Sequence, residues 1–183
     1  MVIVEGPDGG GKSTLVGHFR DVFGLKVGER GVANRDFLYK VTRGDTYRAL
    51  SLAVHGTERP LVWDRLFVSE FVYHDINPRR PCEFSHFERD FVMEVLNALK
   101  CPVIVCLPPF DVVKENAMNA HQMDGVKNSL WRIWEAYAMG DLPWPENHIY
   151  YDYTHQIPNS ATLTEVEEEI EGYITERHRR QTT

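Results

Sequence analysis

Cysteine is scarce in this chain. There are three in 183 residues, Cys82, Cys101 and Cys106, and no C-x-x-C among them. That excludes a disulfide framework and a thiolate metal cluster, and it reads as reduced thiols in a cytoplasmic protein. The histidines show no H-x-x-x-H and no His/Cys pairing at ligand spacing, so they offer no rival metal site. His74, beside Tyr73, is the one histidine with a candidate polar role. No apolar run is long enough to span a bilayer, and the chain opens on an apolar strand without a targeting pattern. An excess of positive charge is missing as well: 20 Lys and Arg face 27 Asp and Glu, for a net charge of −7. A general nucleic-acid binder would need a basic face, which leaves at most a local basic groove. Repeats and low-complexity linkers are absent. The length fits one domain over 1–183, with a lid-like segment at about 110–126.

What the sequence does have is Gly6-Pro7-Asp8-Gly9-Gly10-Gly11-Lys12-Ser13-Thr14. It fits G-x-x-x-x-G-K-[ST], the phosphate-binding loop, and it stands between an apolar run, Val2-Ile3-Val4, and a helical pattern. Gly6, Gly9, Gly10 and Gly11 let the backbone curl around a polyphosphate with its N–H groups aimed inward. The positive end of the following helix points at the same anion. Lys12 is the residue to reach the β- and γ-phosphates of ATP. The Ser13 hydroxyl is placed to ligate Mg²⁺, and Thr14 completes the motif.

Periodicity supplies the rest of the frame. Residues 13–23 carry apolar side chains at helical spacing up to Gly24, and Leu25-Lys26-Val27 predicts a second strand. A helix is predicted over 36–55, a buried strand at Leu61-Val62-Trp63 and a helix over 66–74. Ser85-His86-Phe87-Glu88 has the form of a capping box, and Phe87, Phe91, Val95 and Leu99 behind it predict the core-facing side of a helix. Pro102 to Leu107 is the clearest buried strand. Helices follow near 110–120 and 125–139, the second with Leu130, Trp134, Tyr137 and Ala138 as a core stripe. His148-Ile149-Tyr150-Tyr151 is the last strand, and a helix over 163–178 opens on the capping box Thr162 to Glu165. Alternating strands and helices predict an α/β fold: a five-stranded parallel sheet with helices on both faces. The strand C-termini then share one edge, so the phosphate loop, Arg30 and Asp64-Arg65 converge there.

Asp64-Arg65 at the end of the third strand is the second constellation. A carboxylate there can hold Mg²⁺ and orient an attacking group. The adjacent arginine can clamp phosphates and offset developing charge. Lys12, Asp64 and Arg65 are therefore the candidate catalytic residues, and Ser13 and Asp64 the candidate metal ligands.

Glu5-Gly6-Pro7-Asp8 through Thr14, together with Asp64, Arg65, Ser69 and Tyr73, resembles the thymidylate kinase family of P-loop nucleoside monophosphate kinases. That family carries E-G-x-D/E-G-x-G-K-[ST] and D-R-Y-x-x-S-x-x-A-Y; here Leu66 and Val72 replace its Tyr and Ala. Tyr39-Lys40-Val41-Thr42-Arg43 stands near the family's F-S-A-x-R, whose aromatic stacks on thymine while its arginine faces the base. By the same resemblance Arg30 would grip the acceptor phosphate, and Asp8 would touch the acceptor sugar. Ser69 and Tyr73 would belong to the acceptor side.

The resemblance thus implies transfer from Mg·ATP to a deoxynucleoside monophosphate, dTMP or a modified pyrimidine. A homodimer and a cytoplasmic location, the host's if the chain is viral, are within its range. The chain departs from the family in two places. Its Arg30–Tyr39 segment is short, and Glu115 to Asp124 contains no arginine where the family's lid is arginine-rich. Lys114, Lys127 and Arg132 are the nearest cations, and Arg79 or Arg80 could close over the phosphates instead. Compact proteins of this kind look viral, and some relatives phosphorylate 5-hydroxymethyluracil within phage DNA. A base kinase acting on DNA is therefore one alternative, and a non-catalytic nucleotide-binding regulatory domain is another.

Overall fold

A computed structural model describes residues 1–28, 43–55, 60–76, 82, 84–119, 126–139 and 142–182. Five strands form one parallel sheet: β1 (Val2–Glu5), β2 (Lys26–Val27), β3 (Leu61–Asp64), β4 (Val103–Cys106) and β5 (His148–Tyr151), in the order β2-β3-β1-β4-β5. Seven helices among the described residues flank it: α1 (Lys12–Phe23), α2 (Arg43–His55), α3 (Phe67–Ile76), α4 (His86–Ala98), α5 (Phe110–Asn119), α6 (Val126–Met139) and α7 (Leu163–Thr182). The expected fold class is the one observed. Among the described residues, no helix is long and apolar enough to cross a membrane.

Alternation along the buried strands builds two cores. Val2, Val4, Val62, Ile104 and Cys106 face one side, where they meet Leu15, Val16 and Phe19 of α1 and Val166 and Ile170 of α7. Ile3, Leu61, Trp63, Val103 and Val105 face the other, covered by side chains of α2 to α6. β1 lies between β3 and β4, with Val4 opposite both Asp64 and Ile104. The loop after β1 is therefore flanked by the loops after β3 and β4, the setting in which open α/β sheets bind ligands.

Element positions follow the sequence closely, and three details differ. The predicted helix over 36–55 is described from Arg43 onward, with Gly44 inside its first turn; 36–42 lie outside the described residues. The last helix runs on to Thr182. The capping box of α4 is present, with the Ser85 side chain accepting from the Glu88 N–H and Glu88 returning to the Ser85 N–H. Its predicted core face is wrong, however. Phe87 is 80% exposed and Phe91 44% exposed, while Val92 and Leu96 are buried; Val95 and Leu99 pack only at the margin. Two apolar stripes coexist on this helix, and the neighbouring α2 and the sheet cover the one centred on Val92.

Candidate active site

The phosphate loop is held open by its own glycines. Gly6, Gly9 and Gly11 have φ of 134°, 83° and 89°, a region unfavourable to any residue with a Cβ. A Cβ at Gly6 would stand 2.3 Å from the Cys106 carbonyl oxygen of β4. Gly11 caps α1 in the left-handed conformation, and no side chain caps the helix N-terminus. The positive end of α1 is thus left for an anion. Lys12 folds back, its Nζ donating to the Pro7 carbonyl at 2.6 Å. Burial, reinforced by the nearby Arg65 charge, lowers its pKa to about 8 against the pull of Asp8 and Asp64. Ser13 and Thr14 are exposed at the helix start.

A cleft of about 720 Å³ opens above the loop. Asp8, Gly9, Gly11, Lys12, Ser13 and Thr14 line it from the loop, and Asp64 and Arg65 from the end of β3. The predicted convergence is therefore observed for these residues. Asp64 and Ser13 bring two hard oxygen donors to the same cleft. That set suits Mg²⁺, which binds through one or two protein oxygens plus phosphate and water rather than a full protein cage. Among the described residues, no group of three or more His, Cys, Asp or Glu could hold a metal by itself.

Arg65 is the structural knot of the site. Its backbone is left-handed, φ 69°, and its N–H donates to the Val4 carbonyl at 2.7 Å. Its guanidinium donates to Asp8 at 2.7 Å and lies 5.0 Å above the Tyr73 ring. Tyr73 also donates its hydroxyl proton to Asp8. Burial pushes the Asp8 carboxyl up, but Arg65, Lys12 and the Tyr73 hydroxyl outweigh it and hold the pKa below the usual value. Behind Arg65 lies Glu5, fully buried, accepting from the Leu66 N–H at 2.7 Å and from the Ser69 hydroxyl at 2.6 Å. Burial raises its pKa, offset in part by these bonds and by Arg65.

Of the acceptor-side residues read from the resemblance, Asp8 lines the cleft and Tyr73 supports it. Ser69 lies deeper, its hydroxyl engaged by Glu5 and Tyr137. Arg43 opens α2, with its side chain outside the described set; Arg30, Tyr39, Arg79 and Arg80 also lie outside the described residues. The lid-like stretch forms α5 up to Asn119, with 120–125 outside. α5 packs hard on the loop: a Cβ at Gly9 would stand 2.5 Å from the Val113 carbonyl oxygen. Asn116 donates to the Gly9 carbonyl at 3.0 Å and to the Tyr153 hydroxyl at 2.8 Å.

Asn116 and Tyr153 carry no role in the sequence reading; Glu5 enters it only as the first residue of the motif behind the resemblance, and Tyr137 only as core. Tyr153 was accessible to that reading, because it follows the last strand at the same sheet edge. Asp152 fixes that turn by accepting from Thr154, Gln156 and Ile157, and Tyr153 thereby lies against Gly11.

No family model and no curated relative matches the sequence. Solved structures do match its shape. One is the YorR protein of Bacillus subtilis in complex with phosphorylated GDP, at TM-score 0.63 and 17% identity over 97% of each chain. Another is a gluconokinase of Sinorhizobium meliloti, at TM-score 0.50 and 15% identity over 100% of this chain and 97% of that one.

Proposed function

We propose that this chain, whose fold is that of the P-loop kinases, is a Mg·ATP-dependent phosphotransferase that converts a deoxynucleoside monophosphate, dTMP or a modified pyrimidine nucleotide, to its diphosphate. One observation carries the reading: the phosphate loop and the Asp8–Arg65–Asp64 group open into a single cleft. A donor phosphate chain and an acceptor can share it. The two neighbours of like shape are in keeping with this: one is a kinase by name, and the other holds a phosphorylated GDP.

The bond that breaks joins the γ-phosphorus to the β,γ-bridging oxygen, and the bond that forms joins it to an acceptor phosphate oxygen. Lys12 leaves the Pro7 carbonyl for the donor phosphates, which offer it full charge in place of a dipole. The backbone N–H groups at the start of α1 hold the same oxygens. Ser13 and Asp64 would hold Mg²⁺, which when bound offsets charge on the β- and γ-phosphates. Arg65 stays protonated throughout, its pKa held high by Tyr73 and Asp8 despite burial. Among the described residues it lines the cleft together with Lys12, and Asp8 orients it. Arg30, Tyr39 and Arg43 are proposed to bind the acceptor phosphate and base.

The test is incubation with γ-labelled ATP and a panel of deoxynucleoside monophosphates, nucleosides and DNA containing 5-hydroxymethyluracil. Label in a pyrimidine deoxynucleoside diphosphate is the expected outcome. Label in DNA would replace this reading with the base kinase, and ATP binding without transfer would replace it with a regulatory domain.

A further inference from the structure

Tyr137 lies on α6 with no exposed surface, yet it carries a hydroxyl that a core position does not need. That hydroxyl is 2.8 Å from the Ser69 hydroxyl and donates to Glu5 at 3.2 Å; Arg65 Nη1 reaches it at 3.5 Å. The helix that carries it packs against α5 through the aromatic group Phe110, Trp131 and Trp134. α5 in turn grips the phosphate loop at Gly9 through Val113, Asn116 and Ala117. One helix pair thus touches the phosphate loop at one point and the Arg65 network at another.

We propose that Tyr137 is a positioning residue for Arg65, closing the Glu5–Ser69–Arg65 network from α6 and linking the set of the guanidinium to the helix pair that holds the phosphate loop. The kinetic part of this inference rests on the phosphotransfer reading; the structural part does not. Glu5 fixes the start of α3 through Leu66 N–H and Ser69, and so fixes the turn that puts Arg65 in its left-handed conformation. Among the described residues, Arg65 from the β3–α3 turn and Tyr137 from α6 are the titratable groups that face Glu5, with Asp8 beyond Arg65. Loss of the Tyr137 hydroxyl removes one donor from a buried carboxylate and one acceptor from a buried guanidinium. Both groups are then freer to rearrange.

Tyr137→Phe keeps the ring and removes only the hydroxyl. The expected result is a kcat lower by roughly tenfold to a hundredfold, the size of one hydrogen bond to a charged group. The KM for ATP should stay within about twofold. The acid limb of the kcat profile should move to higher pH, because Glu5 protonates more easily without its donor. Ser69→Ala combined with Tyr137→Phe should cost little more than the worse single change, since both act through one network. Side-chain NMR of Arg65 supplies a readout independent of turnover: its guanidinium protons should exchange faster in Tyr137→Phe. An unchanged Arg65 spectrum overturns the inference, as does a kcat loss matched by an equal loss of ATP affinity. A wild-type protein that transfers no label while the Arg65 spectrum responds supports the positioning role and removes the activity reading alone.

Discussion

The Arg65 guanidinium and the Asp8 carboxylate meet at 2.7 Å, the arginine side chain 1% exposed and the aspartate 15%. The pair joins the loop after β1 to the loop after β3, so it fixes the gap between the phosphate cradle and the group facing it. Asp8→Asn should keep the shape and remove the charge. Breaking a buried pair on one side costs about 3 kcal/mol. In a chain of this size that is on the order of 6–12 °C in the melting temperature at neutral pH. The pH dependence has a definite sign. The native Asp8 pKa lies below the unfolded value of 3.8, so its stabilisation is present above 3.8 and is lost as pH falls through the native value. Melting curves below pH 4 should show that loss in the wild type, and the loss due to this group should vanish in Asp8→Asn.

Lys12 gives a second pH signature. On the proposed reading the free protein would bind donor phosphates through the protonated ammonium of Lys12, whose pKa burial lowers to about 8. kcat/KM for ATP should therefore fall about tenfold per pH unit above that value. Cys106, beneath the loop, is pushed up to about 12 by burial and does not titrate in this window. Lys12→Arg, which cannot deprotonate, should be slower but level over the same range. A wild-type profile flat to pH 10 would remove Lys12 from phosphate binding.

Glycine substitutions separate strain from propensity. Gly9 has φ 83° and a Cβ there would meet the Val113 carbonyl oxygen at 2.5 Å, so Gly9→Ala must push α5 off the loop. The KM for ATP should rise at least about tenfold, since a cradle displaced by even a fraction of an ångström loses several aligned N–H bonds. Gly17, inside α1, has nothing within 4 Å of its would-be Cβ. Gly17→Ala should stabilise by about 0.5–1 kcal/mol, measured by denaturant titration, with the KM for ATP unchanged.

The two stripes of α4 predict opposite responses. Phe87→Ser should leave the melting temperature within about 1 °C, because the ring is 80% exposed. Leu96→Ala, at a position with no exposed surface, should cost about 2–5 kcal/mol. Equal effects in a denaturant titration would mean that Phe87 is covered in solution.

This helix also shows where sequence reasoning stops. Its start was legible because a capping box is local chemistry, readable from Ser85 and Glu88 alone. Its buried face was not, because Phe87-Phe91-Val95 and Val92-Leu96 are both valid helical stripes and only the neighbours choose. The phosphate loop and Asp64-Arg65 were legible for the same reason as the cap, each being a short motif at a strand end. Tyr137 was read as core, which its burial bears out, but its hydroxyl finds Glu5 across 132 residues of sequence. Asn116 likewise meets Gly9 across 107 residues. No periodicity reports such pairs.

The place of β1 in the sheet bears on how the chain folds. Val2–Glu5 pairs on one edge with Leu61–Asp64 and on the other with Val103–Cys106. During synthesis this apolar strand and the glycine-rich loop behind it emerge long before either partner. Both edges stay open until β3 and then β4 leave the ribosome. Closure of the sheet waits on contacts far apart in sequence, which makes refolding slow. The strand that carries the phosphate loop is thus open to mispairing on the way.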